Sequence, residues 1–335
     1  MDFAFSEEQE LLRASARGYL RDRFTPERVV ALAESQSGWD RATWKELAEM
    51  GWLDPSLGVL EHAVIAEETG YALLPAPWFS TVALAWPLLD QELRDAVATG
   101  DASATLATEG DVRADGATLT GTATLVPDLT SVTHVVVVAH DGLYVVDATS
   151  DVVIARSTMD RTRRLGELRL DHTPARKLTT DRTALVDVRR RALALASCEA
   201  VGVCQRALDL AADYTKSREQ FGRVIGTYQG VSHRVSNIFV SLQLGRSLAY
   251  WAAWAVSEGD AQQDVAVAAA KSMASEGAVF ACENAIQVHG GIGFTYEHIL
   301  HRFYKRAQWL EAFEGYGRDH RAVVAAALFD PEVAA

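Results

Sequence analysis

The hydrophobic pattern changes its period twice along this chain of 335 residues, and the change limits the possible folds more than any single motif does. Residues 1–101 carry apolar side chains three and four positions apart, which predicts an N-terminal helical domain. Residues 102–180 carry short apolar runs between Gly and Asp turns, which predicts a central β barrel or sandwich. Residues 181–335 return to helical spacing, in long segments predicted to end at Gly226, Gly259 and Gly290-Gly291. We therefore expect a mainly α protein with a small central β domain and a C-terminal four-helix bundle that supports oligomerisation.

Local signals position several of these elements. Ser6 is predicted to cap the first helix, with Gln9 in its first turn. The helical pattern breaks at residues 73–78, and helix is predicted to resume over residues 87–97 with Pro87 in the first turn. Within the central segment, strands are predicted at residues 117–122, 135–139, 142–146 and 165–170.

Composition argues against several classes of protein. The net charge of −13 argues against a nucleic-acid partner, because phosphate binding needs an excess of Lys and Arg. No run of about 18 apolar residues lacks charges, which argues against a membrane span. The first residues are acidic where a secretory signal would be basic and then apolar, so we expect a cytoplasmic protein. Cys198, Cys204 and Cys282 are odd in number and lie in helical patterns, which predicts buried thiols and no metal site.

The last third of the chain carries three specific motifs. They are Tyr-Thr-Lys-Ser-Arg-Glu-Gln-Phe-Gly-Arg-Val-Ile at 214–225, Gln-Gly-Val-Ser-His at 229–233 and Gln-Val-His-Gly-Gly-Ile-Gly-Phe at 287–294. In this order and separation they resemble the acyl-CoA dehydrogenase family. The resemblance extends over nearly the whole chain, although the N-terminal half is generic by comparison. It implies an FAD cofactor, α,β-desaturation of an acyl-CoA substrate, and an electron-transfer flavoprotein as electron acceptor.

The residue types in these motifs suit a dinucleotide. Arg218 offers a planar fork of donors to the diphosphate of FAD. Phe221 with Gly222 permits a tight turn where the backbone approaches a ligand. Gly290 and Gly291 end a helix and leave backbone groups and little bulk where a nucleotide can lie. Taken singly, each motif is also explained as an ordinary helix end with a surface arginine or a glycine cap.

The resemblance assigns further residues to the cofactor. It implies that Gln287, Gly290 and Gly291 bind the adenine half of an FAD held mainly by a neighbouring subunit. Tyr228 and Gln229 are weaker members of the same cofactor-binding set and are also explained as packing residues. His233 and His289 stay open between ligand contact and core packing.

One carboxylate matches the family's catalytic base. In the family a carboxylate removes the α-proton of the thioester while the β-hydride passes to the flavin, and burial that raises its pKa from about 4.3 toward neutrality assists this role. The stretch from Arg306 to His320 places Glu314 at that position. A second position used in the family falls near Ala192-Leu193, where no carboxylate is present. The alternative is that Glu314 is a solvated glutamate at a turn.

Several departures from the family pattern affect the flavin ring. The family β domain carries a Thr-Glu-Pro-Gly-type turn and a Trp-x-Thr-Asn-Gly segment against the ring. Here Ala-Thr-Glu-Gly-Asp stands at 107–111 and Thr-Leu-Val-Pro-Asp at 124–128. These changes resemble the short subunits of heteromeric acyl-CoA dehydrogenases, including those that act on bulky acyl-CoA thioesters such as steroid side chains.

Three functions therefore compete. In the first, the chain completes the FAD site of a longer subunit in a heterotetramer, and Glu314 is a relic. In the second, the chain is a self-sufficient homo-oligomeric dehydrogenase with Glu314 as base. In the third, it is a flavin-free scaffold that binds acyl-CoA. We favour the first, because the diphosphate motifs are present while the ring platform is lost.

Overall fold

The computed structural model describes residues 5–54 and 56–329. It confirms the mainly helical fold with β structure in the middle of the chain. The helices are α1 (Glu7–Arg23), α2 (Pro26–Glu34), α3 (Arg41–Glu49), α4 (Val59–Ala72), α5 (Gln91–Ala98), α6 (Ala184–Ser217), α7 (Gln229–Glu258), α8 (Gln263–His289), α9 (Leu300–Ala312) and α10 (Gly317–Phe329). The strands are β1 (Ala104–Ala107), β2 (Glu109–Asp115), β3 (Thr118–Pro127), β4 (His134–Ala139), β5 (Gly142–Asp147), β6 (Val153–Ala155), β7 (Leu165–Pro174), β8 (Arg176–Thr179), β9 (Glu219–Gln220) and β10 (Arg223–Val224).

The chain folds into two compact units. The helical unit combines the residues up to Pro26, Gly58–Leu74 and the residues from Leu193 onward. The sheet unit combines Glu27–Leu57 with Pro75–Ala192. The division into three domains at residues 101 and 180 stays a prediction.

Within the helical unit, α4 and α6 touch at the level of the backbone. A Cβ on Gly70 would lie 2.1 Å from the carbonyl oxygen of Glu199, and a Cβ on Gly202 would lie 1.9 Å from that of Glu67. No larger side chain fits at either position unless the helices separate, so the two glycines fix this crossing.

A buried charge network joins α1, α4 and α7 in the same unit. Glu68, which is 1% exposed, accepts two hydrogen bonds from Arg17 at 2.6 and 2.9 Å. Glu67, which is 2% exposed, accepts from Arg246 at 2.8 Å and from the Tyr250 hydroxyl at 2.7 Å. Buried carboxylates need such partners, because an unpaired charge in the interior is strongly destabilising.

The long helices α6, α7 and α8 pack around a core rich in alanine. Leu193 and Ala194 of α6 meet apolar residues of α7 and α8 in one cluster. Residues 263–294 are long and apolar enough to cross a membrane by length and composition, but 72% of the most apolar window is buried within the protein. This burial is the pattern of a core helix.

The sheet unit contains two four-stranded sheets. One has the order β1-β4-β5-β8, with β1 and β4 parallel, and the other has the order β2-β3-β7-β6 with antiparallel neighbours. Buried side chains of both sheets, such as Val135 and Leu168, share one hydrophobic core. The arrangement is a β sandwich, and the four strands predicted from sequence are confirmed within a few residues.

The observed first and last residues of the helices can be compared with the helix boundaries predicted from sequence. Ser6 caps α1 in a capping box with Gln9, as predicted. The helix predicted over 87–97 is wrong at its start, because Ser80–Ala85 form a π-helix, Trp86–Leu88 form a 3-10 turn, and Asp90 caps α5. The predicted helix end at Gly226 is also wrong: α6 stops at Ser217 and a short hairpin follows. The predicted ends at Gly259 and Gly290 are confirmed.

Candidate functional site

The hairpin after α6 is built on a two-residue turn. Strands β9 and β10 pair antiparallel, and Phe221 and Gly222 between them have φ of 52° and 79°. Two positive φ values define the tight hairpin turn that suits the twist of paired strands, and glycine adopts this conformation without strain whereas phenylalanine does not. The turn holds the Phe221 side chain 92% exposed.

Tyr228 braces this hairpin. Its hydroxyl donates to the carbonyl oxygen of Gln220 at 3.1 Å. The Arg223 guanidinium lies 3.9 Å from the centre of the Tyr228 ring, and the Phe221 ring meets the same ring edge-on at 6.5 Å. At the base of the hairpin, the Ile225 N–H donates to the carbonyl of Arg218 at 2.8 Å. These contacts fix the strained turn relative to the end of α6.

The end of α8 forms a second wall. His289 is 4% exposed, and its Nδ1–H donates to the carbonyl of Ala285 at 2.7 Å. Its ring stacks on that of Tyr214 at 4.4 Å and lies 4.5 Å from that of His298. A Cβ on Gly290 or Gly291 would meet no atom within 4 Å, so open space lies beside this helix end.

A pocket of about 450 Å³ lies between the hairpin and the end of α8. This volume is within the range of small-molecule sites, about 300–1,000 Å³. The lining is aromatic and aliphatic, with one exposed guanidinium at Arg218 that has no side-chain partner among residues 5–54 and 56–329. The lining residues are Tyr214, Arg218, Gln220, Phe221, Ile225, Tyr228, Val231, Val288, His289, Gly290 and Gly291.

The pocket brings together most of the residues singled out from sequence. Arg218, Phe221 and Tyr228 contribute from one motif and Gly290 and Gly291 from another. Gln229 and Gln287 do not line the pocket; both side chains are exposed at helix ends. His233 is exposed on α7, whereas His289 reaches the pocket. The cofactor-binding role of these residues stays a prediction.

Sequence reasoning missed Tyr214, which lines the pocket and stacks on His289. A signal was available, because Tyr214 lies four residues before Arg218 and residues at this spacing share one face of a helix. No comparable signal points to Val231 or Val288, since an apolar side chain in a helix is most often a core residue.

Glu314 lies in a turn between α9 and α10, and the carbonyl oxygens of this turn accept hydrogen bonds from side chains of α8 and α10. Glu314 and Gly315 have φ of 56° and 103°. The Lys271 ammonium, 0% exposed on α8, donates to the carbonyl oxygens of Glu311 at 3.1 Å and Gly315 at 2.9 Å. His320 of α10 donates through Nε2 to the carbonyl oxygen of Glu314 at 3.1 Å. The half-buried Glu314 therefore occupies a backbone conformation that its surroundings impose.

In the sheet unit, the segment at 124–128 ends in a buried ion pair. Asp128 has φ of 50° and accepts a hydrogen bond from the Ser80 hydroxyl. The Nε of Arg163 lies 3.8 Å from its carboxylate, and the two side chains are 3% and 5% exposed. The Arg163 guanidinium also lies 4.6 Å from the centre of the Phe79 ring. These buried side chains therefore fill the space around the segment.

Two arginine-rich runs lie in the sheet unit, at residues 161–164 and 189–191, and several of their side chains bond within the protein. Arg164 donates to the carbonyl oxygens of Ala33 and Ser35 at the end of α2. Arg190 pairs with Asp187, and Arg191 donates to the carbonyl of Val82 at 3.2 Å. Burial lowers the pKa of Arg191 to about 10. The three cysteines are buried and free, as predicted, and burial raises the pKa of Cys204 to about 12.

Comparison with known proteins defines the class. Residues 6–91 match the N-terminal domain of acyl-CoA dehydrogenases, and residues 187–329 match the C-terminal domain. The acyl-CoA dehydrogenase IpdE2 of Mycobacterium tuberculosis is 31% identical over 316 residues, which cover 90% of this chain and 91% of that protein. The chain belongs to the acyl-CoA dehydrogenase family of FAD-dependent oxidoreductases, and the resemblance found in the sequence is confirmed.

Solved structures share the fold over almost the full length. A variant of the Tcur3481–Tcur3483 steroid ACAD aligns with a TM-score of 0.86 at 28% identity and covers 97% of this chain and 99% of that one. The ChsE4–ChsE5 complex from Mycobacterium tuberculosis aligns with a TM-score of 0.88 at 24% identity, covering 98% and 99%. The second likeness, at this identity, shows the fold alone. Both structures are named as pairs of different proteins.

Proposed function

We propose that this chain is a subunit of a flavin-dependent acyl-CoA dehydrogenase that binds the adenosine diphosphate half of an FAD whose ring half lies on a longer partner subunit. The observation that carries this proposal is a contrast between two segments. The hairpin pocket keeps an exposed guanidinium at Arg218 between aromatic walls. The segment that replaces the family's ring platform is filled by the buried pair Asp128–Arg163.

The pocket residues suit the diphosphate half of the cofactor. FAD, when bound, accepts the hydride that leaves the β-carbon of the thioester. Arg218 would donate to two phosphate oxygens through its planar fork. The backbone at Gly290 and Gly291 can approach the ligand closely, since no side chain intervenes. Gln229 is exposed at the start of α7, and Gln287 is exposed near the end of α8. Both side chains are proposed to reach the same cofactor across a subunit interface.

The proposed assembly is a cytoplasmic heterotetramer with a longer dehydrogenase subunit, an acyl-CoA substrate, and an electron-transfer flavoprotein as acceptor. Two similar structures named as protein pairs support the heteromeric arrangement. The Tcur3481–Tcur3483 protein is a steroid ACAD, and its similarity to this chain favours a bulky acyl group here as well.

One observation favours a second candidate, in which Glu314 is a catalytic base in a homo-oligomer. The turn that carries Glu314 is held by the buried Lys271 and His320, and strained residues of this kind concentrate at functional sites. The two candidates share the family reaction and differ in which subunit supplies the base.

Flavin content tests the choice. The chain is purified after expression alone and after co-expression with a longer dehydrogenase subunit, and flavin absorbance is measured against subunit stoichiometry. We expect little flavin on the single chain and stoichiometric flavin on the heteromeric complex. Stoichiometric flavin on the single chain would establish the self-sufficient enzyme, and no flavin in either preparation would leave the flavin-free scaffold.

A further inference from the structure

The tautomer of His289 is set by the helix that carries it. The Nδ1 atom must hold the proton, because it faces the carbonyl oxygen of Ala285 at 2.7 Å and a carbonyl can only accept. Burial lowers the pKa of His289, so the ring is neutral at neutral pH. The Nε2 atom is therefore a hydrogen-bond acceptor.

The ring of His289 is also fixed in orientation. It stacks on Tyr214 at 4.4 Å with the planes inclined at 23°, and the His298 ring approaches to 4.5 Å. The Nδ1 of His298 accepts from the N–H of Leu300 at 3.3 Å. With Nδ1 bound to its own helix, Nε2 is the ring nitrogen of His289 that remains for a ligand in the pocket it lines.

The rest of the pocket suits a flat ring joined to an anion. Tyr214, Phe221 and Tyr228 provide aromatic surfaces, and Ile225 and Val288 provide aliphatic ones. Aromatic side chains bind heterocyclic bases by stacking. Arg218 adds one positive charge at the same pocket.

We propose that His289 is a specificity-determining residue that accepts a hydrogen bond at Nε2 from the exocyclic amino group of a 6-aminopurine, and so selects adenine over 6-oxopurines. This proposal rests on the proposed function, in which the pocket binds an adenosine diphosphate moiety. An amino group at position 6 donates to the free lone pair of Nε2. An oxo group there places two acceptors face to face, and neither is satisfied.

A site built to hydrogen-bond one group discriminates strongly against an analogue that lacks it. We therefore expect the purified chain to bind ADP at least about fivefold more tightly than inosine 5′-diphosphate, since the roughly 1–3 kcal/mol of one unmade hydrogen bond corresponds to about a 5- to 150-fold difference in affinity. Calorimetry or equilibrium dialysis at pH 7.5 measures both affinities. The two probes have the same ribose and diphosphate, so Arg218 contributes equally to both.

Two variants separate the role of the acceptor from that of the ring. In His289→Phe the aromatic ring remains while both nitrogens are lost, and ADP affinity should fall to that of inosine 5′-diphosphate. His233→Phe, at an exposed position of α7 outside the pocket lining, should keep the full preference. If His289→Phe does not fold, the wild-type affinity ratio still decides the matter.

The possible outcomes separate the role of His289 from the existence of the nucleotide pocket. Equal affinity of the wild type for the two nucleotides would refute the role of His289 and leave the nucleotide pocket standing. No ADP binding at millimolar concentration would refute the pocket itself and this proposal with it. Competition against ADP then distinguishes the source of the adenine: displacement by FAD supports the proposed function, whereas displacement by coenzyme A alone would assign the pocket to substrate.

Discussion

The ring of His289 on α8 stacks on the ring of Tyr214 on α6, with centroids 4.4 Å apart. Through this contact the helix that leads into the Arg218 hairpin and the helix that ends at Gly290 form one continuous pocket wall. Two motifs that are far apart in the sequence are thereby held at a fixed distance, and a ligand between them meets both. The same contact buries a titratable ring, which makes stability depend on pH.

Acidification should destabilise the protein through its buried histidines. Burial lowers the pKa of His289, and burial together with the neighbouring His289 lowers the pKa of His298. As the pH falls below about 6.5, these two histidines become protonated in the unfolded chain before they do in the folded chain. The free energy of unfolding therefore decreases. We expect the urea midpoint to fall between pH 7 and pH 5.5, and His289→Phe to reduce this fall relative to Tyr214→Phe, which keeps the stack and both imidazoles. An identical fall in the two variants would contradict the assignment.

Arg218→Ala should release flavin from the assembled complex without unfolding it. The exposed guanidinium lacks a side-chain partner among the described residues, so its loss removes ligand contacts and little else. A charge-assisted contact is worth about 1.5–3 kcal/mol, which is roughly a tenfold to hundredfold loss of affinity. Flavin retained after dilution and gel filtration measures this loss, and Arg21→Ala on α1 is the control for removal of an exposed arginine. Unchanged flavin occupancy with a melting temperature several degrees lower would show that Arg218 is structural.

Glu314→Gln should leave most of the dehydrogenase activity of the heteromeric complex intact. The amide is nearly isosteric with the acid, and the turn is held through carbonyl oxygens that the substitution keeps. A partner subunit with a complete ring platform would supply its own base. General base catalysis contributes about 10²–10⁴-fold, so a loss of that size in turnover, with flavin still bound, would assign Glu314 as the base.

Asp128→Asn should destabilise the sheet unit strongly. Asparagine keeps the shape of the side chain and tolerates the φ of 50°, but it leaves the 3% exposed Arg163 side chain without the carboxylate charge. Breaking a buried ion pair from one side costs about 3–5 kcal/mol. Asp111→Asn, at a solvent-exposed carboxylate that contacts the exposed side chains of Arg113 and His140, should leave stability nearly unchanged. Urea unfolding of the two variants checks this, and similar midpoints would mean that the buried pair contributes little.

Sequence periodicity was sufficient for the order of a helical, a strand-rich and a second helical segment, because helical and strand spacing differ over any window of ten residues. It predicted the four strands between residues 117 and 170 and the α7 end at Gly259. It did not predict the β9–β10 hairpin, whose strands are two residues long and show no period. The π-helix at Ser80–Ala85 was missed for a different reason: all six residues are buried, so no amphipathic face marks its register.

The candidate site was predictable by residue type more than by geometry. The residue type alone indicates the possible roles of Arg218 and Gly290: arginine offers a fork of hydrogen-bond donors, and glycine has no side chain to obstruct a ligand. Gln287 precedes the buried residues Val288 and His289 on α8, and the helical turn directs it outward. The role of His289 follows from a hydrogen bond to the carbonyl of Ala285 that leaves no trace in the sequence pattern.

The bond from Arg246 to Glu67 spans 179 residues of chain and bears on how the protein is made. Ribosomes add roughly 5–20 residues per second, so α4 emerges roughly ten to thirty-five seconds before the arginine that neutralises its carboxylate. All of the sheet unit after α4 is synthesised in that interval. The sheet unit can fold while translation continues, whereas α1 and α4 lack the part of their core that α7 supplies until α7 arrives. A ribosome that stalls within the last third of the message would release two helices with an apolar face, which is the kind of fragment that chaperones and proteases recognise.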